Sequence, residues 1–146
     1  MAQVSRLLGE GTSPGTQGRG KALEALLRRL VHASPDLEGA VLVSREGLVI
    51  ATAWSSEEQE QALEGLDDSE VGAVACRAFE QSGQATEMLE QGELDRMILA
   101  SSRGNVIITQ AGGDALCVVL LRPDAKLGVA SVEAVRISRQ MAGLLG

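Results

Sequence analysis

Residues able to do chemistry are few in this chain, and they fall in five places. The first is Gly15-Thr-Gln-Gly-Arg-Gly20-Lys21-Ala22, one residue short of the GxxxxGK[ST] loop whose backbone amides cradle phosphate. Ala22 has no hydroxyl to hold magnesium, and no apolar strand precedes Gly15, so the phosphate reading fails. The second is His32, the only histidine, just ahead of Ser34 and Pro35. It suits a helix end better than a general base. The third is Ser44-Arg45-Glu46, a hydroxyl beside a charged pair, but without the GxSxG setting of a strained nucleophile elbow. The fourth is the run of carboxylates from Glu57 to Glu70, where nothing selects an acid–base pair over a solvated face. The fifth is the pair Cys76 and Cys117, too far apart for a CxxC metal motif and best read as buried thiols. No His, Cys and acid spacing fits a metal. The expectation is a protein with no catalytic residue, no metal and no cofactor.

The elements that carry these residues follow from periodicity. Leu23, Leu26, Leu27, Leu30 and Val31 paint one face of a helix over about 20–33, which Pro35 stops. Ala40 to Val43 and Leu48 to Trp54 are strand-length apolar runs. Ser-Arg-Glu-Gly between them fits a type I turn in which Gly47 takes a positive φ. A second helix starts near Asp67, Asp68 or Ser69, all good caps, and runs to about Leu89. Its expected stripe is Val71, Ala75, Ala78, Ser82, Ala85 and Leu89, with Val74, Phe79 and Met88 off it. Gly72, Ala73, Cys76 and Gly83 would let another backbone come close, so this helix is expected to pack against more than its own sheet. Strands follow at Arg96–Ala100, Val106–Gln110 and Ala115–Leu121. The last is apolar throughout and must be covered on both faces. A third helix over Leu127–Leu145 turns Leu127, Ala130, Ala134, Ile137, Met141 and Leu144 inward.

Residues 9 to 20 are rich in Gly, Ser, Thr and Pro, so residues 1–19 are expected to be a flexible tail ahead of one domain, 20–146. With 45% apolar residues, the 146-residue chain can bury a real core, but its rings are one Phe and one Trp. Stacking on bases has nothing to build from. A net charge of -7 argues against a nucleic-acid or anionic-membrane partner. No apolar run approaches the roughly 20 residues of a membrane span, and the start lacks a secretory signal, so a cytoplasmic protein is expected. Eleven Arg against two Lys point to a GC-rich, bacterial genome.

Four landmarks in order carry a resemblance. They are EGAVLVSREGLVIA (Glu38 to Ala51), the small-residue helix, MILASSRGNVIITQAGGDALCVVLL, and DAKLGVASVEAVRISRQMAGLL. Over residues 20–146 the chain resembles the Roadblock family of the dynein light chain type, in its bacterial, MglB-like branch. The resemblance implies an α+β fold, profilin-like, ordered α-β-β-α-β-β-β-α: a five-stranded antiparallel sheet with the second helix on one face and the first and third on the other.

It also implies homodimers that pair through the second helix and the strand after it, and partnership with small Ras-like GTPases without an activity of their own. The seam residues expected on that basis are Gly72, Ala75, Cys76, Phe79 and Gly83 on the helix, with Met97 and Leu99 on the strand. Partner contacts are expected at Arg77, Glu80, Gln81 and Gln84, and at Arg103 in the strand turn. Arg77 and Arg103 are the two candidates for supplying charge to a transferring phosphate. The competing readings are a dimeric scaffold indifferent to nucleotide, and a small-molecule sensor using a pocket beside the sheet.

Overall fold

A computed structural model describes residues 14–62 and 68–145. In chain order the elements are α1 (Pro14–His32), β1 (Leu37–Ser44), β2 (Val49–Trp54), α2 (Glu57–Ala62), α3 (Asp68–Met88), β3 (Arg96–Ser101), β4 (Gly104–Gln110), β5 (Ala115–Leu121) and α4 (Leu127–Leu145). The strands form one antiparallel sheet in the order β2-β1-β5-β4-β3. The wholly apolar β5 is the central strand, as its composition requires.

Strand alternation sorts the core into two layers. On one face Ala40, Leu42, Ile107, Cys117 and Val119 meet α1 and α4. There Leu23, Leu27, Leu30 and Val31 of α1 are buried at the spacing of one helical face, beside Ala130, Ala134, Ile137 and Met141 of α4. Buried polar groups on this side are paired: Thr109 with Ser138 across β4 and α4, and Asn105, whose amide donates to the Arg122 and Pro123 carbonyls. On the other face Val41, Val43, Ile108, Leu116 and Val118 meet α3 through Ala75 and Phe79.

The hairpin at Ser44–Leu48 is held by its own backbone. Ser44 N–H donates to Leu48 O (2.8 Å) and Gly47 N–H to Ser44 O (2.9 Å), while Ser44 Oγ accepts from Leu48 N–H. The hydroxyl is thus committed to the turn. Gly47 has φ +90, the value that the turn demands of it. The register slips between Leu42 and Val43, and the extra residue on β2, Ile50, is exposed.

Two expectations are corrected. The first helix begins at Pro14, so residues 14–19 of the expected tail are helix. Proline has no amide to waste at a first helical position, and turns propagated outward from the packed Leu23–Val31 segment tolerate the glycines. Of the expected tail, residues 1–13 lie outside the described residues.

The stripe of α3 is also rotated. Gly72, Ala75 and Phe79 are the buried positions, whereas Ala85 and Leu89 are exposed. The only phenyl ring takes the core position, with the Arg45 guanidinium 5.6 Å from its centroid. A Cβ on Gly72 would collide with the Gly47 carbonyl oxygen, so only glycine lets the helix seat on the hairpin. At its other end α3 closes with Gln91 N–H on Thr86 O and Glu90 N–H on Glu87 O. Glu90 stands at φ 59, where glycine is usual.

Two outcomes follow from this packing. Gly72→Ala should cost about 2 kcal/mol or more in urea unfolding, because the obstacle is backbone. Gly39→Ala should cost less, since its obstacle is the half-buried Trp54 ring, which can swing away. The second concerns Cys117, whose thiol burial pushes up from 9.0 to about 12, with a hydrogen bond to Ser138 opposing. The unfolded chain therefore ionises first. Stability should be insensitive to this group below about pH 9 and then fall by about 1.4 kcal/mol per pH unit toward 12. Cys117→Val should remove that part of the alkaline slope, measured by denaturant midpoints against pH.

Candidate functional site

The face of the sheet under α3 is where the candidate residues converge. Helix α3 crosses the strands: Gly72 touches the β1–β2 turn, and Gly83 faces Leu94, just ahead of β3. One flank of the helix leans on the hairpin. Its other flank, with Val71, Val74 and Ala78, looks along the sheet toward Leu99, Val106 and Leu120, and the space between is an apolar groove of about 320 Å³. Val74 is 57% exposed and Leu99 is 41% exposed, and at the helix end Met88 and Leu89 stand 83% and 70% exposed. Among the described residues, strand β3 closes the sheet with no neighbour beyond it. One helix has covered only part of this sheet face.

The expected seam residues divide accordingly. Gly72, Ala75, Phe79 and Met97 are buried within the protomer, against the hairpin or the sheet. They position α3, and Ala75 also lines the groove. Cys76 is half-buried, its thiol donating to Ser44 O at 3.2 Å, and burial raises its pKa against the opposing pull of Arg45. Gly83 is half-buried too. Of the seven, Leu99 lies open in the groove. The helix side of the groove comes from Val71, Val74 and Ala78, and Met88 and Leu89 add exposed apolar surface at the far end of α3. Sequence periodicity places Val74 and Met88 off the stripe, and that is the available signal; the angle at which the helix crosses the strands carries no local one.

Arg77, Glu80, Gln81 and Gln84 are all exposed along the outer side of α3. Arg77 and Glu80 share a shallow hollow with Arg45, Glu46 and Cys76 at the β1–β2 turn. Arg103 is exposed in the two-residue turn joining β3 to β4. That turn lies at the opposite end of the sheet from the β1–β2 turn, so one protomer cannot aim both arginines at one phosphate.

The remaining chemical candidates stay apart. His32 is exposed at the end of α1, beside a hollow lined by Glu24, Arg28, Trp54 and Glu60. Among the described residues, no three His, Cys, Asp or Glu side chains lie together in a way that could hold a metal ion. A hollow of about 310 Å³ between Glu93–Asp95 and Val135 and Arg139 of α4 is lined mainly by charged and amide side chains. What the described residues assemble beside α3 is an open apolar groove next to the edge strand β3.

The family model of the Roadblock/LC7 domain matches residues 23–121. Among solved structures, an MglB with tetrameric arrangement is similar at 16% identity and TM-score 0.75, covering 86% of this chain and 89% of that one. The gliding protein MglB of Thermus thermophilus is 16% identical with TM-score 0.70 over 91% and 92%. A Roadblock/LC7 domain from Streptomyces avermitilis is 19% identical with TM-score 0.69 over 84% and 96%. At these identities the likeness is one of fold. No curated protein sequence matches the chain.

Proposed function

This chain belongs to the Roadblock/LC7 domain family, and on that footing we propose that it is a homodimeric regulator of a small Ras-like GTPase with no catalysis of its own. The observation that carries the reading is the half-covered sheet face beside a bare edge strand. An exposed edge with apolar side chains on it is an invitation to pair. Ile98 and Leu99 are both exposed on β3, on opposite faces of the sheet.

A second copy answers all of these features at once. Antiparallel pairing of two β3 strands about a two-fold axis joins the sheets edge to edge, and one patch meets the same patch of its partner. Because α3 ends on the β3 side, the axis brings its Met88 and Leu89 over the open groove of the other copy. Leu99 and Val74 are then closed off from water. Stable interfaces of this kind bury roughly 1,600 Å².

In such a dimer the outer side of α3 remains free, presenting Arg77, Glu80, Gln81 and Gln84 from each copy. This polar ridge is where the GTPase is proposed to bind. The protein would act by favouring the reactive arrangement of the partner's own nucleotide site.

Leu99→Asp buries an unpaired charge in the proposed seam while leaving the protomer core intact, so it should yield a folded monomer in sedimentation equilibrium. A monomeric parent chain, or a dimeric variant, contradicts the seam. The function is tested by calorimetry against a Ras-like GTPase of the same genome, loaded with a GTP analogue or with GDP. Binding at least about tenfold tighter to the GTP form, a difference of about 1.4 kcal/mol, is the expected result. Equal binding to both forms makes the dimer an adaptor instead.

A further inference from the structure

The whole-chain charge of -7 conceals a cluster of basic residues on α1 and α4. Of the thirteen Lys and Arg residues, Arg19, Lys21, Arg28 and Arg29 lie on α1. Four more, Arg122, Lys126, Arg136 and Arg139, lie on α4 or the loop before it. All eight are exposed. The acids described on these segments are Glu24, Asp124 and Glu133, and each is already engaged; further acids stand at the margins only, Glu57 and Glu60 of α2 beside Arg28, and Glu93 and Asp95 beside Arg139. Glu24 pairs with Arg28 (3.3 Å), Asp124 with Arg122 (3.4 Å), and Glu133 with Arg136 (2.8 Å). The Arg136 hydrogen bond, with Arg29 nearby, holds the Glu133 carboxyl below its usual range. Across the sheet α3 carries the opposite sign: among its described side chains, Glu70, Glu80 and Glu87 are exposed against Arg77 alone.

The basic side is also apolar at its crest. Val129 and Val132 are 65% and 64% exposed on α4. With Arg136 and Arg139 they recur at spacings of three, four and three, which places all four on the outward side of the helix, opposite the buried Ala130, Ala134, Ile137 and Met141. The neighbouring helix α1 adds Lys21, Ala25 and Arg29 to the same outer surface. Small residues keep this surface low, and guanidinium groups edge it.

We propose that the α1/α4 face docks onto the anionic phospholipid headgroups of a membrane surface, with the arginines at lipid phosphates and Val129 and Val132 settled at the headgroup boundary. Basic residues alternating with exposed apolar ones on the outer side of a helix are the composition of an interfacial surface. The binding is peripheral, since no described helix is long and apolar enough to cross a membrane. A nucleic acid would satisfy the arginines but give the valines no apolar partner. The polar outer side of α3 from another copy would meet the same objection, because Arg77, Glu80, Gln81 and Gln84 cannot cover them.

The test is flotation of the full chain with vesicles of phosphatidylcholine alone and of phosphatidylcholine mixed with phosphatidylglycerol. The chain should float with the anionic vesicles only, and less as salt rises. Each basic residue at such a surface is worth about fivefold in partitioning, so Arg136→Glu with Arg139→Glu should lower it by at least about tenfold. Val129→Ser with Val132→Ser should lower it severalfold; these side chains are exposed, so both variants keep the fold. Absence of binding to anionic vesicles, or undiminished binding by either variant, overturns the proposal. So does displacement from vesicles by duplex DNA together with valine-independent DNA binding, which would assign the face to a nucleic acid.

Discussion

Strand β5 is apolar at all seven positions, and the need to cover both of its sides governs the rest of the molecule. It sits at the centre of the sheet, so whatever covers it must also span its neighbours. On one side two long helices lie next to each other, and their buried leucines, isoleucine and methionine fill that layer. On the other side a single helix crosses the strands, held to the hairpin by the approach of Gly72 to Gly47. One helix is too narrow to cover five strands. The apolar groove beside it and the exposed leucine of β3 are the remainder of that demand, and they are what the proposed second copy supplies.

The same layering separates charge. Helices on opposite sides of a sheet have no reason to share a sign, and here α1 and α4 carry eight exposed basic residues while α3 exposes three glutamates against one arginine. A dimer joined edge to edge keeps each side continuous across both copies. One side then offers a polar ridge to the proposed protein partner, and the other a basic, low surface to the proposed lipid phosphates. Several polar side chains are committed to turns and to ties between elements: Ser44 closes a hairpin, Asn105 ties β4 to the loop after β5, and Thr109 pairs with Ser138.

Much of this is legible in the residues. The 44–48 turn, the central place of Ala115–Leu121 and the inward face of Leu127–Leu145 follow from local pattern, because each depends on a period or a turn residue. The start of α1 at Pro14 is not, since glycine content predicts poor helix and says nothing of turns propagated from a packed segment. Nor is the facing of α3. With small residues at Gly72, Ala75, Cys76 and Gly83 its periodicity is nearly silent, and Phe79 turns inward to join the apolar cluster of Val41, Val43 and Leu116 on the sheet. The basic side is hidden for a different reason. Net charge is a sum over the chain, whereas docking depends on which charges share a face.

The proposed dimer depends above all on the edge of β3 being closed by another copy. Hydrogen exchange of the outward-facing amides of Arg96–Ser101, followed across protein concentration, tests this most directly. If two β3 strands pair, these amides exchange slowly at high concentration, with protection near that of β4, and lose it on dilution. If they exchange fast at every concentration while β4 and β5 stay protected, the edge is open in solution and the dimer is wrong.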